Sequence, residues 1–203
     1  GAKRLTEFKD KLLGSEILAR MVEAPVRVRN RLVATSRTIR FENIPHAITG
    51  DWAVSLWVAT VDRAAVRNTQ DVDLLIRRSD FDHVRSSMEQ AGFTYRKAAG
   101  LELFLDHGAT SPRDAVHLEF ANEMVRAGEA APNPGVEEST DLGDFRVINL
   151  DALVRIKLTA FRDKDRTHLR DLIGVGLIDG TWVQKLQGQL AERLQTLLDT
   201  PDG

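Results

Sequence analysis

The sequence predicts an α/β fold with helical parts at both ends. Two observations carry this. Between residues 46 and 149, apolar runs of strand length interleave with helix-length amphipathic stretches, the pattern of a sheet covered by helices. Residues 4–22 and 150–198 instead place apolar side chains at helical spacing over long stretches. The chain therefore divides into an N-terminal helical segment (1–45), an α/β core (46–149) and a C-terminal helical part packed on the core (150–203). With 203 residues, 42% hydrophobic and 29% charged, it is long enough to bury one domain core.

Composition removes several chemistries. The absence of cysteine excludes disulfides, thiol catalysis and cysteine-bound zinc, and five scattered histidines show no paired metal spacing. No run approaches the eighteen or so apolar residues of a membrane span, and the basic N-terminal stretch has no apolar signal-peptide centre, so a cytoplasmic protein without a membrane partner is expected. The net charge of −2 hides an asymmetry: residues 1–40 hold ten Lys or Arg against four acids. Such an excess faces either solvent or phosphate groups, and makes an RNA acceptor a partner to test.

In chain order, Leu5, Phe8, Leu12, Leu13, Ile17, Leu18 and Met21 form one helical stripe, which Pro25 ends. Residues 26–41 are open: Val26 and Val28 alternate with arginines as in a strand, while Leu32, Val33, Ile39 and Phe41 permit a helix. After Pro45, Ile48-Thr49-Gly50-Asp51 reads as a strand, a glycine turn and the start of an apolar helix through Ala59. A polar connection, 62–70, leads to a strand at Val72, Leu74 and Ile76. Ser79-Asp80-Phe81-Asp82 then supplies a cap and an acidic first turn for a helix that Gly92 closes. Strands follow at 93–95, 101–105 and 115–120, with a loop at 111–114. Residues 127–143, rich in Ala, Pro, Gly and acids, read as a surface loop before a strand at 145–148. Asn149 or Asp151 caps a helix predicted over 150–172, and a last amphipathic helix is predicted over 182–198.

The chemistry gathers at the second strand. Alternation turns Asp71 and Asp73 to one face and Val72, Leu74 and Ile76 to the other. Two neighbouring carboxylates repel by about 4 kcal/mol at ~4 Å and an effective dielectric of ~20, which a divalent cation relieves; hard oxygen donors favour Mg²⁺ or Mn²⁺. The glycine turn lies upstream, where a helix start offers free N–H groups to a phosphate. On the strand at 115–120, His117 and Glu119 share the face opposite Val116, Leu118 and Phe120. Further on, Lys157, Phe161, Lys164, His168 and Asp171 are expected along one face of a single helix.

This order of a glycine turn, Arg67-x-Thr69-x-Asp71-Val72-Asp73, a strand with polar residues and a lysine helix resembles the nucleotidyltransferase family, and within it the AbiE-type toxin-like enzymes. The resemblance covers residues 46–177. It implies a mixed β-sheet flanked by helices, Mg²⁺ or Mn²⁺ as cofactor, a nucleoside triphosphate (NTP) as substrate, and an acceptor hydroxyl on RNA, protein or a small molecule. It also implies an antitoxin-like partner. By resemblance, Asp71 and Asp73 hold metal, and Asp71, Asp73, Glu119 and Lys157 form the catalytic set. Gly50, Asp51, Ser55, Arg67, Thr69 and Lys157 lie on the nucleotide side, with His117, Arg162, Asp165 and His168 as further candidates. Two positions depart from the family pattern: Asp51 at the second turn residue, and His117 where a third carboxylate normally stands. A module that keeps the fold and binds nucleotide or protein without catalysis is the alternative they raise.

Overall fold

The structure, a computed structural model, describes residues 26–67, 69, 71–106, 115–129 and 131–203. The helix expected over 4–22 and the loop at 111–114 lie outside them.

Helix α1 (Val26–Phe41) settles the open region: Val28, Leu32, Thr35 and Ile39 recur at helical spacing and are all buried. Strand β1 (His46–Thr49) runs into α2 (Gly50–Ala59), and after a 3₁₀ turn at Arg63–Ala65 comes β2 (Val72–Ile76). Helix α3 (Phe81–Gln90) precedes the hairpin of β3 (Thr94–Ala98) and β4 (Leu101–Leu105). Its two-residue turn places Ala99 and Gly100 both at positive φ, a backbone that matches the twist of the flanking strands. Strands β5 (Ala115–Phe120), β6 (Ser139–Asp141) and β7 (Arg146–Ile148) complete one mixed sheet in the order β3-β4-β5-β2-β1-β7-β6. The central pairing β2·β5 is parallel, as is β1·β7, while β1 runs antiparallel to β2. Helices α4 (Leu150–Ala160), α5 (Asp163–Gly174) and α6 (Gly188–Asp199) follow, and Asn149 is the cap of α4, its Oδ1 accepting the Ala152 N–H at 2.8 Å. One hydrophobic cluster runs from Val28 and Leu32 through the sheet to Leu194 and Leu197. No helix among the described residues is long and apolar enough to cross a membrane.

Three expectations are corrected. The single helix over 150–172 is two, because Phe161 adopts a left-handed backbone (φ +47°), closing α4 with its N–H on the Lys157 carbonyl. Asp165 then reaches back to the Arg162 N–H (3.1 Å) and starts α5 afresh, while the guanidinium groups of Arg166 and Arg193 pack on the Phe161 ring. The helix over 182–198 is a 3₁₀ segment (Gly180–Lys185) followed by α6, separated by extended backbone at Leu186 and Gln187. The loop over 127–143 contains β6, a polar edge strand whose composition hides it because little of it is buried.

His46, at the start of β1, is buried; Nδ1 donates to the Ile44 carbonyl at 2.8 Å, and Nε2 has no hydrogen-bond partner among the described residues. Burial lowers its pKa below the usual 6.5 against the opposing pull of that hydrogen bond. The unfolded chain therefore binds the proton more readily than the fold does. The stability held by the neutral ring is complete above about pH 6.5 and is lost as pH falls toward and through the lowered value. Chemical denaturation at stepped pH is expected to show this loss, and His46→Gln to remove that part of the slope.

Candidate active site

Register builds the site. Antiparallel pairing of β1 and β2 sets Thr49 opposite Asp73, so the residue after Thr49 must pass close to that carboxylate. That residue is Gly50, at φ +66°. A Cβ there would overlap Asp73 Oδ2 and stand 3.0 Å from its Cγ, so both the backbone angle and the close approach require glycine. Parallel pairing of β2 and β5 sets His117 beside Asp73, with Glu119 two residues further along the same face. Replacing Gly50 by Ala is expected to cost about 1–2 kcal/mol in backbone strain alone and to displace Asp73, read as a lowered denaturation midpoint with loss of whatever the cleft binds.

These groups line one cavity of about 290 Å³, together with Lys157, Lys164, Arg162 and Asp165 from the α4–α5 corner. Arg126, Glu129 and Asn133 close it from the segment after β5, and Leu101, Val125 and Pro132 form an apolar rim. Of the residues singled out from the sequence, Gly50, Asp51, Asp71, Asp73, His117, Glu119, Lys157, Arg162 and Asp165 all border this cavity. Three do not. Ser55 Oγ donates to the Arg67 carbonyl at 3.4 Å, Arg67 is paired with Asp171 at 2.6 Å, and Thr69 is buried. His168 stands behind Asp51, its Nδ1 3.6 Å from Asp51 Oδ1.

Charge is unevenly compensated inside the cleft. Burial, then Glu119, Asp51 and Asp71, push the Asp73 carboxyl up to about 8, with Lys157 opposing. Burial also raises Glu119, against a hydrogen bond from Asn133. The opposite holds at the α4–α5 corner. Lys157, only 2% exposed, donates to Asp51 Oδ1 and to Asp165 Oδ1, both at 3.0 Å. Asp165, fully buried, also accepts from Arg162 Nε at 2.8 Å. Burial would raise both acids, yet for Asp51 the Lys157 charge, and for Asp165 the Arg162 hydrogen bond and then Lys157, hold them below the ordinary carboxylate range. Burial and the Lys157 charge lower His168. One wall of the cavity is thus an internally neutralised network, and the facing wall is a set of acids whose mutual repulsion the neighbouring cations offset only in part.

A divalent cation fits that acidic wall by donor chemistry. Asp71, Asp73 and Glu119 supply hard oxygens, and a bound cation would favour the ionised form of Asp73 that burial and the neighbouring acids disfavour. Among the described residues no three His, Asp or Glu side chains are grouped so that they could hold a metal ion by themselves.

Sequence reasoning missed Arg126, Glu129 and Asn133, because their segment carries neither periodicity nor motif. It also missed that Asp51 is the partner of Lys157, 106 residues away, since nothing in the local pattern of either residue points to the other.

No protein-family description and no curated protein matches the chain. Among solved structures it is similar to the antibiotic-resistance factor ANT(2″)-Ia in solution, at 16% identity and TM-score 0.48, over 82% of this chain and 86% of that one. It is similar also to the crystal structure of ANT(2″)-Ia in complex with adenylyl-2″-tobramycin, at 15% identity and TM-score 0.40, over 82% and 92%. A third likeness is to an antigenic nucleotidyltransferase-like protein from Paracoccidioides brasiliensis, at 15% identity and TM-score 0.45, over 87% and 88%. All three TM-scores lie below 0.5.

Proposed function

We propose that the cleft transfers a nucleoside monophosphate from an NTP to an acceptor hydroxyl, with Mg²⁺ or Mn²⁺ held by Asp71 and Asp73. The observation that carries this reading is the contact of the Gly50 turn with Asp73 in a cavity that Lys157 also borders. Bound there, the cation would neutralise phosphate charge and lower the pKa of the acceptor oxygen. The chain's own groups do the rest. Glu119, whose carboxyl burial raises above its ordinary value, is the candidate general base toward the acceptor. Lys157 and the half-exposed Arg162 and Lys164 are the cations nearest a triphosphate lying against the α4–α5 corner. The half-open rim of Leu101, Val125 and Pro132 leaves space for an acceptor beside the acids. The acceptor classes to test are RNA, a protein side chain and a small molecule. The AbiE-type resemblance adds an antitoxin-like protein as a candidate partner.

Two features favour a second reading, a nucleotide-binding or protein-interaction module that does not catalyse transfer. Asp51 stands in the phosphate turn and is already paired with Lys157, and His117 occupies the register position beside Asp73 where a third acid would complete the metal set. Incubation with each α-labelled NTP, Mg²⁺ or Mn²⁺, and either total RNA or cell lysate separates the two readings. The enzyme reading expects label on an acceptor, lost in Asp71→Asn and Asp73→Asn. No transfer, with NTP still raising the melting temperature, favours the binding module.

A further inference from the structure

We propose that Asp51 is an internal anion occupying the phosphate seat between the glycine turn and Lys157, so that a polyphosphate enters by competing with it for Lys157 and Lys164. Three observations converge on this side chain. It lies in the first turn of α2, directly after the left-handed Gly50, where a helix of ten residues presents its positive end. It accepts from Lys157 at 3.0 Å, and its other oxygen is 3.6 Å from the Lys164 ammonium. It borders the cavity itself, 19% exposed at the side chain, whereas Lys157 behind it is 3% exposed. A ligand entering from solvent therefore meets the carboxylate before it meets the buried lysine.

The partners around Asp51 define the competition. Lys157 is shared with Asp165, which keeps Arg162 whatever happens at Asp51. Lys164 and His168 come from α5, and both are brought round by the chain reversal at Phe161. A phosphate oxygen offers these cations the same charge-assisted hydrogen bonds as the Asp51 carboxylate and carries more charge. Displacement is therefore feasible, and affinity is reduced by whatever the resident pair contributes. Asp51 sets the affinity and ionic selectivity of the seat without contacting the reacting atoms, which makes it a positioning residue. The inference rests on the proposed function only for the identity of the physiological ligand.

The test is calorimetric titration of inorganic tripolyphosphate, without divalent cation, into the full chain and into Asp51→Asn and Asp51→Ser. Both variants are expected to bind about tenfold more tightly than wild type, and adding Lys157→Met to Asp51→Asn is expected to erase the gain. Unchanged or weaker binding in variants that melt like wild type would overturn the proposal, as would a gain that survives Lys157→Met. Should a variant fail to fold, the wild-type protein decides the matter. The side-chain ammonium resonance of Lys157 must shift on addition of tripolyphosphate, and an unmoved resonance at saturation rules competition out. Because the titration contains no divalent cation and reads binding alone, an absence of nucleotidyl transfer would leave this result standing, and a failure here would leave the transfer assay intact.

Discussion

Asp73→Asn is expected to melt at a higher temperature than the wild-type protein in the absence of divalent cations, and to lose nucleotidyl transfer by roughly 10³-fold or more, about 4 kcal/mol of barrier. The two effects share one cause. The carboxyl is half-buried against the Gly50 backbone, beside Glu119, Asp51 and Asp71, with its pKa pushed up to about 8, so at neutral pH the fold must take up a proton there that the unfolded chain does not bind. The amide has the same shape and no charge. Relief of about 1–2 kcal/mol corresponds to a rise of roughly 2–8 °C for a domain of this size. A carboxylate whose ionisation the metal-free fold resists and a bound cation would restore is what a metal-binding position requires. Thermal unfolding in chelator beside the label-transfer assay checks both halves, and a variant less stable than wild type in chelator removes the electrostatic account of Asp73.

Lys157→Met is expected to be the most destabilising single substitution in the cleft, costing about 3–5 kcal/mol. Methionine fills a similar volume, so packing changes little. The charge balance does change: Asp165 is fully buried and would keep only Arg162, and Asp51 would keep only the longer contacts to Lys164 and His168. Leaving a buried acid under-compensated costs far more than the net worth of the intact pair. Denaturant titration measures the loss, and adding Asp165→Asn to Lys157→Met is expected to recover part of it by removing the orphaned charge. A Lys157→Met protein within 1 kcal/mol of wild type would show that the network contributes no more than a surface ion pair.

What the sequence disclosed follows from the range of the forces involved. The Asp71/Asp73 pair was legible because strand alternation is strictly local, and β2 and β5 follow the alternation of their apolar residues. The Gly50 turn was legible as a turn, but its reason was not: the glycine is needed because Asp73, brought opposite Thr49 by strand register, presses on its α-carbon. The α4–α5 break was hidden, since 150–172 has helical periodicity throughout, while the reversal sits at a left-handed Phe161 whose ring packs against Arg193 from the distant α6. The pairing of Asp51 with Lys157 joins the first turn of α2 to the last turn of α4, 106 residues apart in the chain, and only the folded chain reveals that the acid after the glycine turn is matched by that lysine. β6 was hidden for a different reason, as an edge strand needs no apolar face to mark it.

The central claim is that the acids of β2 and the α4–α5 corner form one seat for a cation and a polyphosphate together. Its most direct measurement is the binding of Mn²⁺ by electron paramagnetic resonance, with and without a saturating NTP, in wild type and in Asp73→Asn. The account predicts Mn²⁺ uptake by the wild-type chain that tightens when NTP is present and is lost in Asp73→Asn. Mn²⁺ binding that is equal in the two proteins, or indifferent to NTP, would contradict it.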